Sequence, residues 1–321
     1  MKLFINQPIT IIMISLVIAS CQNATESEIN TPVTSEKVIG SNEIQPDSNP
    51  KSLKQALKAA KGGKYRPAST AELRQVETLF RGTLQQKPTS QLQSVWQDQG
   101  FAFRTLTDKE DMVVVQELQR SGRGFYAFRQ TGRLPIALQA PHSYKDSYTG
   151  QIVRQLMLEG DYVAAAWNTV PRYGKSKYDD FADMAHLENT VFQAFGRAVA
   201  NQYPTGTIVQ LHGFAQQRRK TEAGKTADLI LSGTTKIPSQ RVLDIGRCLK
   251  TKLTPFVVRI YPYEVTELGG TTNSNAKDLR KRGFNHFIHV ELCKPLREQL
   301  RQHQTLRKHF NSCFAKIVNA E

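Results

Sequence analysis

Short apolar segments with strand character alternate with amphipathic helical segments along the chain from residue 134 onward. Strands that alternate with helices are typical of α/β domains, in which helices cover a sheet. We therefore predict an open, mostly parallel, mixed sheet with helices on both faces. The predicted strands are 134–139, 162–167, 207–211, 228–231, 256–261 and 286–292, and the predicted helices are 151–159, 184–203, 239–252 and a last one that opens at Pro295 and runs through Ile317.

A helix and a β-hairpin are predicted before this alternation. The helix covers residues 71–84, where apolar side chains recur at helical spacing. The hairpin strands 112–118 and 124–128 flank a polar turn at 120–123. Residues 51–321 contain neither an internal repeat nor a second linker, so we predict one α/β domain. The 39% hydrophobic share of the chain is enough for its core.

The first 50 residues have the composition of a targeting segment followed by a tether. Residues 1–20 begin with a positive Lys2 and continue with an apolar run, which is typical of a signal peptide. A short transmembrane anchor is the alternative, but the run is below the roughly 20 residues that span a bilayer. Ile18-Ala19-Ser20-Cys21 resembles the lipobox of bacterial lipoproteins, which implies cleavage before Cys21 and its acylation with lipid such as palmitate. Residues 21–50 are polar and contain no aromatic residue, which predicts a disordered tether.

The chain is strongly basic, with 43 Lys and Arg residues against 28 Asp and Glu residues and a formal charge of +15. A positive surface attracts anionic partners such as lipid headgroups, acidic polymers and carboxylate-bearing substrates. Nucleic acid is another common partner of basic proteins, but the sequence has no zinc-finger, helix-turn-helix or RNA-binding motif. We therefore predict no nucleic-acid partner.

Polar residues follow several predicted strands at the point where each strand ends. His142 and Asp146 lie on one short loop after strand 134–139, and His212 follows strand 207–211. In open α/β sheets the carboxyl ends of the strands form the binding crevice. Two imidazoles and a carboxylate form a catalytic zinc set that leaves a fourth position for water. The sequence therefore predicts a Zn²⁺ site, although a single histidine at a strand end is more commonly a structural residue.

Two functional side chains share one face of the predicted strand 286–292. His289 and Glu291 alternate on this strand, so they point to the same side of the sheet. We predict that Glu291 is the general base, which takes a proton from the activated water. We predict that His289 orients a ligand or the substrate. The alternative for Glu291 is an ion pair with Arg297 or with a neighbouring lysine.

Three segments together resemble zinc-dependent hydrolases of the carboxypeptidase-like superfamily. The nearest branch holds the N-formylglutamate amidohydrolases and the poly-gamma-glutamate hydrolases. The resemblance covers residues 134–300 and implies His142, Asp146 and His212 as zinc ligands and Glu291 as the general base. The spacing His142-x3-Asp146 departs from the tighter His-x2-Glu of typical carboxypeptidases. The segments are Pro141-His142 through Asp146, Leu211-His212-Gly213, and His289-Val290-Glu291-Leu292 with Arg297 beyond.

An enzyme of this class must hold a substrate carboxylate, and the planar donor fork of arginine suits that task. Arg172 follows strand 162–167, and two more arginines follow His212 closely. The alternative for each arginine is an ordinary solvated side chain. A glycine-rich loop at 269–273 forms either a site wall or a plain turn. The predicted substrate-binding residues are Arg172, Arg218, Arg219, Asn273 and Arg297.

The other candidate residues have plainer interpretations. Asp183 and His186 are interpreted as a helix cap with a polar neighbour rather than as a second metal site. Cys248, Cys293 and Cys313 allow at most one internal disulfide, and the sequence does not show which pair forms it. A nucleophilic Cys293 is the minor alternative to a buried cysteine.

Two functional hypotheses follow. The first is a zinc-dependent amide hydrolase at the cell envelope that acts on an anionic N-acyl amino acid, a gamma-glutamyl chain or a peptidoglycan-type peptide. It would be held to the membrane through Cys21, and Gln22 favours the periplasmic side of the outer membrane if the host is Gram-negative. The second is a non-catalytic envelope lipoprotein of the same fold that binds an anionic polymer or partner.

Overall fold

Nine strands form one open sheet in the computed structural model, which describes residues 50–131, 133–173 and 182–318. The predicted signal segment 1–20, Cys21 and all of the predicted tether 21–50 except Pro50 lie outside the described residues. The strands are β1 (Phe101–Thr105), β2 (Met112–Glu117), β3 (Phe125–Arg129), β4 (Leu134–Ala140), β5 (Tyr162–Trp167), β6 (Thr207–Phe214), β7 (Leu229–Ser232), β8 (Val258–Ile260) and β9 (Phe287–Cys293).

The strand order across the sheet is β1-β2-β3-β5-β4-β6-β9-β7-β8. The central strands β5, β4, β6 and β9 run parallel to one another. The hairpin β2–β3 and strand β1 extend the sheet in antiparallel fashion on one side. On the other side β7 is antiparallel to β9 and parallel to β8. The predicted open, mixed α/β sheet and the predicted hairpin are therefore confirmed, and the parallel part is its centre.

The helices cover both faces of the sheet, because alternate side chains of the strands enter two separate hydrophobic clusters. In β4, Ile136 and Leu138 pack into one cluster and Ala137 into the other. No helix among the described residues has the length and apolar character to cross a membrane. The helices are α1 (Leu53–Ala60), α2 (Thr70–Gln85), α3 (Ser90–Asp98), α4 (Thr149–Glu159), α5 (Val191–Gln202), α6 (Glu222–Thr226), α7 (Gln240–Lys252), α8 (Ser274–Lys281), α9 (Lys294–Gln302) and α10 (Gln304–Val318).

The predicted helix 184–203 begins later than expected, at Val191. Thr190 caps α5 by accepting a hydrogen bond from the Gln193 amide, and Asn189 has a positive φ of 54° that helical residues do not adopt. The backbone carbonyls before this point are used by α8, because Ser274 N donates to Ala185 O at 2.8 Å. Apolar spacing alone suggested a longer helix, and tertiary hydrogen bonds override it here.

The predicted final helix is two helices. The chain leaves helical geometry at His303, which has φ −109° and ψ 111°. Arg307, near the start of α10, donates hydrogen bonds to the carbonyls of Leu300 and Arg301 and so satisfies the end of α9. The apolar pattern continues through this break because both helices pack on the same cluster, which includes Leu300 and Phe310. Four helices and one strand were not predicted: α1, α3, α6, α8 and β1.

One disulfide joins Cys248 in α7 to Cys313 in α10, over a sequence separation of 65 residues. Cys293 is a buried free cysteine at the end of β9. Burial raises the pKa of its thiol to about 12. A thiol with this pKa stays protonated at neutral pH, so the minor hypothesis of a Cys293 nucleophile finds no support in its environment.

Candidate metal centre

Three predicted ligand side chains meet at the carboxyl end of the central parallel strands. β4 and β6 are parallel neighbours, so the loop after β4 and the end of β6 lie side by side. His142 begins a turn in which the Asp146 amide donates to the His142 carbonyl at 2.9 Å, and this turn places Asp146 beside the imidazole. His212 projects from the end of β6. Together the three residues form a cluster that could hold a metal ion.

The facing atoms of the cluster are close together. The Nδ1 atoms of His142 and His212 are 3.2 Å apart. Asp146 Oδ2 lies 3.4 Å from His142 Nδ1 and 3.8 Å from His212 Nδ1. The same Asp146 oxygen accepts a hydrogen bond from the Gly213 amide at 2.9 Å, which orients the carboxylate towards the two rings.

A buried carboxylate sets the tautomer of His142. Asp183 is 1% exposed, and its Oδ1 accepts a hydrogen bond from His142 Nε2 at 2.7 Å. Burial would raise the pKa of Asp183, but hydrogen bonds from His142 and His186 hold it well below its usual range, so the carboxylate is ionised. Burial would likewise lower the pKa of His142, but Asp146 and Asp183 raise it on balance. In the neutral ring Nε2 donates its hydrogen to Asp183 in this hydrogen bond, so the lone pair of Nδ1 is directed into the cluster.

A chain of amide side chains sets the tautomer of His212. Asn273 Oδ1 accepts the Ala276 amide as the N-cap of α8, so its Nδ2 donates to Gln210 Oε1 at 2.6 Å. Gln210 Nε2 in turn donates to Gln139 Oε1 at 2.8 Å. Gln210 Oε1 is therefore the acceptor for His212 Nε2, at 2.7 Å. Burial, with repulsion from His289 and His142, lowers the pKa of His212 well below its usual value, so its ring is neutral.

With both rings neutral, the cluster presents two imidazole lone pairs and a carboxylate oxygen to one point. Three acceptors at these separations repel one another unless a cation lies between them. A neutral imidazole whose other nitrogen is hydrogen-bonded to a carboxylate or an amide is the usual form of a metal-bound histidine. The donor set and its supporting hydrogen bonds fit a divalent metal ion.

Glu291 lies beside this cluster on the neighbouring parallel strand. In the register of β6 and β9, His212 is opposite Glu291. Glu291 Oε1 is 3.2 Å from His289 Nε2, and its other oxygen, Oε2, is buried without a hydrogen-bond partner among the described residues. The His289 ring packs against that of His212 with 4.4 Å between centroids. Gly270, at φ 61°, allows this packing, since a Cβ there would lie 2.8 Å from the His289 ring.

The three candidate ligand side chains and Glu291 line one cavity of about 840 Å³. Among the described residues its wall carries six cationic side chains and, apart from Asp146 and Glu291, no carboxylate. The cavity therefore attracts anions. The six cationic residues are Lys145, Arg172, Arg218, Arg219, Lys294 and Arg297.

Four of the five predicted substrate-binding residues are also engaged within the protein. Arg172 forms an ion pair with Asp183, and Arg219 lies 3.5 Å from a Glu267 oxygen. Arg297 is buried and donates to the Leu292 carbonyl at 2.8 Å. Both ends of the Asn273 amide are used by Gln210 and α8. Arg218 lines the cavity.

One interpretation from the sequence changes in this site. Asp183 does not cap a helix, because α5 starts at Val191, and it supports His142 from a distance of 41 residues along the chain. Glu291 lies 3.2 Å from His289 Nε2, and within the described residues no ion pair joins it to Arg297. The supporting role of Gln210 was missed. Its position two residues before His212 on one strand, hence on the same face, was the available signal.

Replacing Asp183 with asparagine should weaken metal binding by about 10–100-fold, the usual cost of losing such a supporting hydrogen bond. The amide no longer fixes the proton on His142 Nε2 by charge. Zinc affinity, measured by competition with a chromogenic chelator, checks this result. Asp278→Asn is the matched control, because Asp278 pairs with Arg197 away from the cavity. Equal zinc affinities in the two variants would contradict the role of Asp183.

No protein family matches the sequence, and no curated protein matches it. Solved structures of several hydrolases are similar to the chain at low identity. An N-formylglutamate amidohydrolase from Ralstonia eutropha JMP134 is 13% identical, with a TM-score of 0.39 over 61% of this chain and 96% of that one. A succinylglutamate desuccinylase from Vibrio parahaemolyticus is 8% identical, with a TM-score of 0.35 over 76% and 82%. A metallo-carboxypeptidase from Burkholderia cenocepacia is 10% identical, with a TM-score of 0.40 over 80% and 71%. An N-formylglutamate amidohydrolase and a carboxypeptidase are among the enzymes that the motifs of this chain resemble.

Proposed function

We propose that the protein is a zinc-dependent amide hydrolase. One observation carries this proposal: His142 Nδ1, His212 Nδ1 and Asp146 Oδ2 converge within 3.2–3.8 Å of one another beside the buried carboxylate of Glu291. The first three groups are a ligand set, and the fourth is a base within the same cavity. Metal ligands without a base, or a base without ligands, would not support hydrolysis in this way.

The choice of zinc rests on the donor atoms and their spacing. Atoms about 2.0–2.2 Å from a tetrahedral zinc ion lie about 3.3–3.6 Å from one another. The separations of 3.2, 3.4 and 3.8 Å in this cluster are close to those values. Calcium and magnesium prefer six or more oxygen ligands, and two imidazoles do not supply them. Three protein ligands also leave one position open, as in catalytic zinc sites.

Zinc bound here would polarise an amide carbonyl and lower the pKa of a nearby water towards about 7. Glu291 Oε2 accepts the proton of the attacking water and later returns it to the leaving nitrogen. His289 holds the other oxygen of Glu291 and so orients the carboxylate. His142 and His212 keep their Nδ1 atoms unprotonated through Asp183 and Gln210. Arg172 and Arg218, on the cavity wall, are placed to bind a substrate carboxylate or the developing oxyanion.

The proposed substrate class follows from the cationic cavity wall. Six cationic side chains favour a substrate with at least one free carboxylate, such as an N-acyl amino acid, a gamma-glutamyl chain or a peptidoglycan-type peptide. The proposed location is the cell envelope, with the chain anchored by lipid at Cys21 on the periplasmic side of the outer membrane if the host is Gram-negative. The Cys248–Cys313 disulfide supports a location outside the cytoplasm, because disulfides persist in oxidising compartments.

We expect the purified protein to bind one zinc ion per chain and to cleave an N-acyl-glutamate faster than the same compound with its α-carboxylate converted to an amide. Loss of a charge-assisted hydrogen bond of about 1.5–3 kcal/mol should reduce kcat/KM by about 10–150-fold. The measurement is kcat/KM for the matched substrate pair, before and after removal of zinc with 1,10-phenanthroline. Metal-free native protein that binds gamma-glutamyl polymer without cleaving it would instead establish the non-catalytic hypothesis.

A further inference from the structure

A second cavity is lined in part by the segment that carries the candidate ligands His142 and Asp146. It has a volume of about 490 Å³, which is in the usual range for small-molecule sites. Ser143, the residue after His142, belongs to its wall, and so do the end of β5 at Trp167 and the residues that follow it. Among the described residues, none that lines this cavity also lines the cavity of the metal centre. It is therefore a separate candidate site, which we call the α1–α4 cavity.

The wall of the α1–α4 cavity is cationic. Among the described residues that line it there is no Asp or Glu, and no carboxylate forms an ion pair with its five cations in the described part of the chain. Burial, with repulsion from Arg307, lowers the pKa of Arg154, although attraction to Glu159 acts in the opposite direction. The like charges repel one another when the cavity holds only solvent, and an anion would relieve that repulsion. The cations are Lys54, Lys58, Lys61, Arg154 and Arg301.

The cavity also contains buried polar atoms without partners. Thr169 is 2% exposed, and its hydroxyl Oγ1 has no hydrogen-bond partner within the described residues. Arg301 Nε is buried and unpaired in the same sense. An unpaired buried donor costs free energy, and a ligand or water that reaches it removes that cost.

The remaining wall is apolar and aromatic. Leu57, Tyr148 and Trp167 line it, and the Arg301 guanidinium lies over the Tyr148 ring at 4.7 Å from its centroid. Trp167 is fixed by a hydrogen bond from its Nε1 to the Gly150 carbonyl at 2.9 Å. A ligand with a compact anionic group and a short organic portion could therefore place the two parts against different walls.

We propose that the α1–α4 cavity binds a phosphate-bearing ligand. A phosphate monoester carries about −1.5 to −2 charges at pH 7 and three strong acceptor oxygens, so it can satisfy several cationic donors at once. A single carboxylate supplies only one negative charge against five cations. The ligand is either a free phosphate ester or the headgroup of an anionic phospholipid. The lipid source is consistent with the position of α1, which is the first helix after the predicted lipid-anchored tether.

The full chain, purified in neutral detergent, is titrated with glycerol 1-phosphate and separately with dihexanoyl phosphatidylglycerol. Dihexanoyl phosphatidylcholine is the control for a headgroup without net charge. Tryptophan fluorescence reports the cavity, because Trp167 lines it while Trp96 belongs to the other hydrophobic cluster. Calorimetry gives the dissociation constant. Because the two cavities share no lining residue, pretreatment with 1,10-phenanthroline should leave this constant unchanged, which separates the result from that of the hydrolase assay.

Lys54→Gln with Lys58→Gln should weaken binding of the preferred ligand at least tenfold at low salt. The matched control is Lys87→Gln with Lys308→Gln, which removes the same charge from exposed positions away from the cavity and should change binding less than twofold. Thr169→Val keeps the side-chain shape and should weaken binding by about 2–10-fold through loss of one hydrogen bond.

Tight binding of glycerol 1-phosphate alone supports a free phosphate ester as the ligand. Stronger binding of phosphatidylglycerol, displaced by glycerol 1-phosphate, supports a lipid headgroup at the same site. The proposal is wrong if wild-type protein binds neither compound, if phosphatidylcholine binds equally well, or if both double variants are weakened equally. The last result would show that binding reflects net charge rather than this cavity.

Discussion

The Glu291→Gln variant should retain zinc, and its kcat should fall by about 10²–10⁴-fold, which is the usual contribution of a positioned general base. This corresponds to about 3–5 kcal/mol of transition-state stabilisation. The amide has nearly the shape of the carboxylate and its oxygen can still accept a hydrogen bond from His289, so packing in β9 is preserved. It cannot accept the proton of the attacking water. The measurements are kcat with an N-acyl-glutamate substrate and zinc content per chain.

Glu222→Gln is the matched control for this experiment. Glu222 has a side chain that is 80% exposed and lies in α6, outside the cavity wall. The control should change neither zinc content nor turnover. If Glu291→Gln hydrolysed the substrate at the wild-type rate while holding zinc, another group would have to be the base. The mechanism proposed for this cavity would then be wrong.

His212→Ala should reduce zinc affinity by more than about 100-fold, because loss of a direct ligand costs more than the 10–100-fold cost of losing a supporting residue. Hydrolysis should fall to the level of wild-type protein treated with chelator. The ring of His212 is also packed against His289, so the variant needs a check of folding by its thermal transition. Zinc content and residual hydrolysis are measured on the same folded sample.

His309→Ala provides the control, since His309 is an exposed residue of α10 away from the metal centre. It should bind zinc and hydrolyse substrate as the wild type does. His142→Ala should behave as His212→Ala does, because each variant removes one Nδ1 ligand from the same cluster. Folded His142→Ala and His212→Ala proteins with undiminished zinc would show that the three side chains do not form the metal site.

The parts of this site that could be predicted from the sequence are those that follow from local pattern. His142 follows β4 and His212 lies near the end of β6, and parallel strands place their carboxyl ends at one edge of a sheet. His289 and Glu291 share a face because strand side chains alternate. The structure brings these residues to one cavity for the same reasons. Asp146 joins them because it lies one turn after His142.

The supporting residues were not accessible to the same reasoning. Asp183 is 41 residues from His142, and Asn273 is 63 residues from Gln210. Nothing in the sequence near either residue indicates its partner. Because apolar spacing continues before Val191, the helix was predicted to start at residue 184 and Asp183 was interpreted as its cap. In the structure the backbone before Val191 is not helical and accepts a hydrogen bond from α8 instead. Local periodicity measures which side chains are buried, not which backbone groups are already hydrogen-bonded elsewhere.

The α1–α4 cavity was missed for a related reason. Three of its cations are on or just after α1, a helix that was not predicted, and the other two come from α4 and α9. In the sequence they are five among 43 basic residues, and only their grouping around one cavity distinguishes them. Charge composition predicts that anions are attracted, whereas the location of a site depends on which helices pack together.

The sequence by itself determined the α/β class, the hairpin, the strand ends that carry His142, His212 and Glu291, and the basic character of the chain. These features follow from burial pattern and composition, which act over a few residues. Only the tertiary structure decided the strand order, the Cys248–Cys313 pairing, the tautomers of the two histidines and the two cavities. These depend on contacts between segments far apart in the chain, whose geometry is set when the whole sheet and its helices pack.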